Sequence, residues 1–148
     1  HGSSVSASDM RGMRERIQKE LSKETAGYDI KLGYGGIEEL EFTVQYLQLK
    51  NCAQHPSLLV QNTFDAIRRL RLAGIINESH AESMKGAYIF YRTLESYLRL
   101  RERDILKKDD ENILIAAAEF LGFKNKDEFL HCLEGTRKGV RDVYDIYV

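Results

Sequence analysis

Residues 29–49, DIKLGYGGIEELEFTVQYLQL, gather the side chains of this 148-residue chain best suited to chemistry. Lys31 offers a cation, Gly33, Gly35 and Gly36 a turn, and Glu38, Glu39 and Glu41 carboxylates just behind it, followed by Gln45 and Gln48. Carboxylates so placed could orient a substrate or move protons. A glycine turn that opens a helix could also hold an anion on the free N–H groups of the first turn, because glycine permits positive φ and close backbone approach. Two features weigh against the anion. The pattern is not GxxxxGK[ST] and follows no predicted strand, which excludes a P-loop or dinucleotide fingerprint. Glu38 and Glu39 suit the positive end of the helix dipole, yet they would repel a phosphate there. The stretch therefore reads as a turn leading into a helix.

On a wheel of about 100° per residue, Ile37, Leu40, Val44 and Leu47 share one sector and Phe42, Tyr46 and Leu49 another. A polar strip of Glu38, Glu41, Gln45 and Gln48 runs between them, and Glu39 and Thr43 fill the second gap. One of these two gaps must face protein or a partner, and the Glu41–Gln45–Gln48 strip fits an interface or interior seam better than open solvent. A second carboxylate, Glu95, falls within the apolar stripe Met84, Ala87, Tyr88, Tyr91, Leu94 and Leu98. Unpaired, it would be costly there. Arg99 at i+4 and Arg92 at i−3 are the nearest partners, and the reading is a structural Glu95–Arg99 pair rather than a catalytic acid. No residue is assigned a catalytic role. The histidines at 1, 55, 80 and 131 and the cysteines at 52 and 132 lack metal-ligand spacing, so no metal site is assigned. The two thiols suit a reduced, cytoplasmic setting.

The elements that carry these residues read as helices. Proline occurs once, at Pro56, and no segment alternates with period two. A first helix is expected from Ser8 or Asp9 to about Lys23, with Met10, Met13, Ile17 and Leu21 along one side. Residues 25–36 form a turn-rich connection, and a second helix runs from Ile37 to about Asn51. Asn62 caps a third, with Phe64, Ile67 and Leu70 on one face and Gly74 as its stop. Asn77 opens the longest helix, over about 78–103. KKDD breaks the chain, Asp110 caps a helix stopped by Gly122, and Asn125 opens the last. The expected fold is an all-α, single bundle of about six helices around one long central helix. Residues 1–7 read as an expression-tag remnant and disordered lead-in, and 8–148 as one helical domain. With 43% apolar residues, 30% charged and a net charge of −1, the chain is not built to bind nucleic acid through phosphates, and it has no run long enough to span a bilayer.

Asp29, Lys31, Gly33, Gly35, Gly36, Ile37, Glu39, Leu40, Glu41, Phe42 and Gln45 together resemble the signature of the glutamine synthetase adenylyltransferase family (glutamate–ammonia-ligase adenylyltransferase). The resemblance continues through HPSLLVQNTFDAIRRLRLAGII and AYIFYRTLESYLRL, where Leu94, Glu95, Leu98 and Arg99 match. It fades in KKDDENIL and returns in FLGFKNKDEFL and VRDVYDIY. PII-uridylyltransferase is a more distant match. Many relatives carry arginines flanking the glycine turn where this chain has Tyr34 and Glu38.

Family members are longer, with one nucleotidyltransferase half that attaches AMP to a tyrosine of glutamine synthetase and one that removes it. Each half has a polymerase-β-like catalytic domain, bearing a Gly-Ser and paired-aspartate metal motif, followed by a helical domain. This chain lacks that motif, so the resemblance implies the non-catalytic helical companion. ATP and Mg²⁺ are then expected in the parent enzyme, with no cofactor on this portion. Lys31, Gly35, Gly36, Glu39, Glu41 and Gln45 are expected at the domain interface or near substrate. The implied partners are the nucleotidyltransferase domain of the same parent chain, glutamine synthetase and the PII signal protein. The alternative is a regulatory module that binds glutamine synthetase or PII.

Overall fold

The computed structural model describes residues 7–21 and 27–148. Its elements in chain order are α1 (Ala7–Leu21), β1 (Gly27–Tyr28), α2 (Ile37–Asn51), a single 3₁₀ turn (Pro56–Leu58), α3 (Thr63–Leu72), α4 (Glu78–Leu100), β2 (Leu106–Lys107), α5 (Glu111–Phe120) and α6 (Lys126–Tyr147). The expected all-α bundle is the observed one, with α4 and α6 as its two long helices.

Side-chain caps set four of the helix starts. The side-chain oxygens of Asn62, Asn77, Asp110 and Asn125 accept from the backbone N–H three residues on, at Asp65, His80, Ile113 and Glu128, satisfying a donor that the helix itself leaves free. Gly74 and Gly122 end α3 and α5 in left-handed backbone. α4 stops at Leu100, short of the expected 103. Glu102 turns left-handed at φ 55°, and the Arg103 N–H closes onto the Leu98 carbonyl at 2.8 Å, a helix-ending arrangement that glycine usually makes.

The core lies where the apolar stripes meet. Leu40 of α2, Ile67 and Leu70 of α3, Tyr91 and Leu94 of α4, and Phe129, Leu133 and Tyr144 of α6 are fully buried. Helix α2 packs on α6, α3 and α4, and α6 also packs on α4 and α5. Each stripe repeats at three- and four-residue spacing, as a helix that buries one face must.

Two expectations need correction. Residues 27–28 and 106–107 form an antiparallel ribbon, Gly27 opposite Lys107 and Tyr28 opposite Leu106, although the sequence reads as turn and charged break there. Two-residue strands leave no alternation to detect. In α1, Met13 and Ile17 were expected on the packed side but are 47% and 36% exposed, whereas Arg14 is buried. The helix docks through polar side chains instead. Arg11 pairs with Asp145, Glu15 accepts from Arg141 at 2.8 Å and the Gln18 amide donates to the Gly33 carbonyl at 2.8 Å. The Leu21 side chain, Lys23 and the first six residues of the expected lead-in lie outside the described residues, and Ala7 already opens α1.

Asp110 gives a pH test of this capping. The Ile113 backbone N–H, opposed by desolvation and aided by Arg103 at 3.0 Å, holds the Asp110 carboxyl below its ordinary value. Between the folded and unfolded pKa values the unfolded chain binds more protons. The stabilisation is therefore complete above the ordinary carboxylate pKa and is lost as pH falls through the folded value. Asp110→Asn, which keeps the cap, should flatten that part of the acid limb in thermal melts recorded from pH 7 down to pH 3. An unchanged limb would show that Asp110 does not carry it.

Candidate functional site

The glycine turn is held by its own backbone and two buried acids, Asp29 and Glu39. Asp29 Oδ1 accepts from the N–H groups of Lys31 (3.2 Å) and Leu32 (2.9 Å), and the Gly33 N–H donates to the Asp29 carbonyl at 2.8 Å. The first amides of α2 are then consumed locally. Ile37 N–H donates to the Ile30 carbonyl at 2.8 Å, Glu38 N–H to the Lys31 carbonyl at 3.0 Å and Gly36 N–H to the Gly33 carbonyl at 3.0 Å. The turn thus closes the helix end against an anion instead of presenting it. Gly35 must be glycine twice over. Its φ is +63°, and a Cβ there would lie 2.0 Å from the Arg137 carbonyl oxygen of α6.

Glu39, the third residue of α2, reaches back past the N-cap Gly36 to the Gly35 N–H at 2.7 Å. It is 1% exposed, and its other oxygen accepts from Arg141 Nη1 of α6 at 2.8 Å. Arg141 also holds Glu15 of α1 at 2.8 Å and Asp145 at 3.3 Å, and its guanidinium lies 5.1 Å from the Tyr34 ring centroid and 4.7 Å from that of Tyr144, within cation–π range. Burial, with a contribution from Glu15, pushes the Tyr144 hydroxyl up to about 12, so it stays neutral. The Tyr91 hydroxyl donates to the Gly35 carbonyl from α4. Four helices, α1, α2, α4 and α6, therefore meet on one turn.

Lys31 stands on the far side of this turn and is exposed. It shares a pocket of about 200 Å³ with Ile30, Glu95, Leu98, Arg99, Arg103 and Asp104. Glu95 is paired as expected, but Arg92 is the closer partner at 2.8 Å, with Arg99 at 3.7 Å. Arg92 also bonds Glu41 at 2.9 Å, joining α2 to α4. The candidate residues thus divide into three places. Gly35, Gly36 and Glu39 form the buried turn, Lys31, Glu95 and Arg99 the basic pocket, and Glu41 with exposed Gln45 line a groove facing α1. Of the two polar gaps on α2, the Glu39–Thr43 gap is buried throughout. The Glu41 strip runs from half-buried Glu41 through exposed Gln45 to buried Gln48, whose amide donates to the Leu58 and Val60 carbonyls. Arg141 carried no signal in the sequence beyond its i,i+4 spacing from Asp145, because its partners on α1 and α2 are more than a hundred residues away.

The two partners of the buried pair should respond unequally. Arg141→Met leaves the Glu39 charge buried without its cation and should cost about 3–5 kcal/mol. Glu39→Gln retains an acceptor for Gly35 and leaves Arg141 with Glu15 and Asp145, so its cost should be smaller, about 1–3 kcal/mol. Urea unfolding of both variants decides this, and an equal or smaller loss for Arg141→Met would show that the guanidinium is not what neutralises Glu39.

A family model described as GlnD PII-uridylyltransferase matches residues 8–148. Among curated relatives, the bifunctional glutamine synthetase adenylyltransferase/adenylyl-removing enzyme of Cutibacterium acnes is 37% identical over 135 residues, covering 89% of this chain and 14% of the relative. The enzyme of the same name from Mycobacterium tuberculosis is 36% identical over 106 residues, covering 70% and 11%. That from Aromatoleum aromaticum is 32% identical over 140 residues, covering 92% and 15%. The chain therefore spans only 11–15% of the length of these relatives. With the match running through the glycine turn, all six helices and the residues that tie them together, the chain belongs to the GlnD PII-uridylyltransferase family, alongside the bifunctional glutamine synthetase adenylyltransferases.

Proposed function

We propose that this chain is the non-catalytic helical domain of a glutamine synthetase adenylyltransferase, supporting the transfer of AMP to, or its removal from, a tyrosine of glutamine synthetase. The observation that carries this reading is the match of nearly the whole chain to one short stretch of relatives bearing that name. AMP transfer needs a divalent metal and acidic groups that hold it. In this reading Mg²⁺ and ATP would be held by the nucleotidyltransferase domain of the parent chain; among the described residues, no three His, Cys, Asp or Glu side chains converge on a point a metal could occupy. No described helix is long and apolar enough to cross a membrane.

The part left to this domain is positioning. The turn that Asp29, Glu39 and Arg141 hold rigid carries Lys31 at the rim of the basic pocket. There an exposed ammonium would face the nucleotide or its pyrophosphate across the domain boundary. Glu41, fixed by Arg92, and Gln45 would meet the same neighbour.

In the full-length enzyme, Lys31→Ala combined with Glu41→Ala should lower adenylyl transfer to glutamine synthetase at least tenfold while leaving the melting temperature of this domain within a few degrees. A wild-type transfer rate from that double variant would remove Lys31 and Glu41 from the site. Transfer catalysed by the 148-residue chain alone would overturn the whole reading.

A further inference from the structure

Arg14 stands apart from the other arginines of its surroundings. It is 5% exposed, and its Nε and Nη2 are buried without a hydrogen-bond partner among the described residues. One turn away, Arg11 is bonded to both Glu15 and Asp145, and across the turn Arg141 holds three carboxylates. A guanidinium taken out of water with no acceptor is unfavourable, so the position calls for an anion that the described residues do not supply.

Arg14 lies in a groove of about 260 Å³ between α1 and α2, lined also by Met13, Ile17, Glu38, Phe42 and Gln45. The exposed Met13 and Ile17 give it apolar walls. Glu38 and Glu41 line the same groove, and they would repel a free phosphate or nucleotide carrying two or more negative charges. A protein segment brings a single carboxylate for Arg14 together with aliphatic side chains to cover Met13 and Ile17. That charge and polarity pattern selects a polypeptide over a small anion.

We infer that the α1–α2 groove seats a segment of the catalytic domain of the same parent chain, with an Asp or Glu side chain paired to Arg14 and apolar neighbours against Met13, Ile17 and Phe42. The inference rests on the reading above that such a domain adjoins this one. It places the interdomain contact on α1 and the outer face of α2 and makes Arg14 its anchor.

Hydrogen exchange of the 148-residue chain and of the full-length enzyme tests this directly. In the full-length protein the amides of α1 and of residues 37–45 should exchange at least tenfold more slowly than in the isolated chain, and Arg14→Met should abolish that difference. In the isolated chain the same substitution removes an unsatisfied buried charge and should raise the melting temperature by about 2–4 °C. Equal exchange in the two proteins would overturn the proposal, as would a fall in the isolated chain's melting temperature. Protection of α1 that grows with the concentration of the isolated chain would make a second copy the occupant and would equally overturn it. Adenylyl transfer by the full-length protein is read separately. Interdomain protection without transfer would sink the functional reading and leave the groove standing, and transfer without protection would do the reverse.

Discussion

The Glu39 carboxylate divides its two oxygens between the Gly35 N–H and the Arg141 guanidinium, and much of the structure follows from that division. A carboxylate buried to 1% exposure survives only if both its charge and its lone pairs are met. The amide meets one oxygen because Gly35 adopts a left-handed conformation with its Cα against the α6 backbone. The guanidinium meets the other because α6 crosses α2 at this level, in the most extensively packed helix pair of the fold. Glu15 on the same guanidinium then brings α1 to the turn. One buried acid thereby links the chain's irregular segment to α1, α2 and α6.

This arrangement explains why the glycine turn is not an anion cradle. The Gly36, Ile37 and Glu38 amides are bonded to the carbonyls of Gly33, Ile30 and Lys31, and the acid that meets the Gly35 N–H is itself buried. What the turn does offer is an exposed Lys31 on rigid backbone, next to Glu95 and Arg99. The Glu41–Arg92–Glu95 chain of ion pairs couples α2 to α4 beneath it. Polar residues inside the apolar stripes therefore serve two purposes: they hold the helices in register, and they leave selected charges pointing outward.

How legible these features were in the sequence depended on their range. The caps at Asn62, Asn77, Asp110 and Asn125 and the stops at Gly74 and Gly122 act within four residues, and each appears in the structure where the sequence places it. The pairing of Glu95 was legible because its cations lie three and four residues away on one helix, although the wheel could not rank Arg92 above Arg99. The face of α1 was misread. Met13 and Ile17 look like core by periodicity, but the helix is anchored by Arg11, Glu15 and Gln18, whose partners are distant in sequence. The ribbon between β1 and β2 was invisible for the same reason, being local at neither end.

By itself, then, the sequence determined the helices, their ends, the apolar stripes that make a bundle and the motif that marks the family, because each of these depends on neighbours within a turn or two of helix. Only the tertiary structure decided which polar gap of α2 is buried, which arginine neutralises Glu39, and that Arg14 is enclosed with its Nε and Nη2 unpaired among the described residues while Lys31 is left exposed. Those outcomes are set by where α6 and α1 cross α2. No local pattern of residues encodes that crossing, since it emerges only when the whole core is packed.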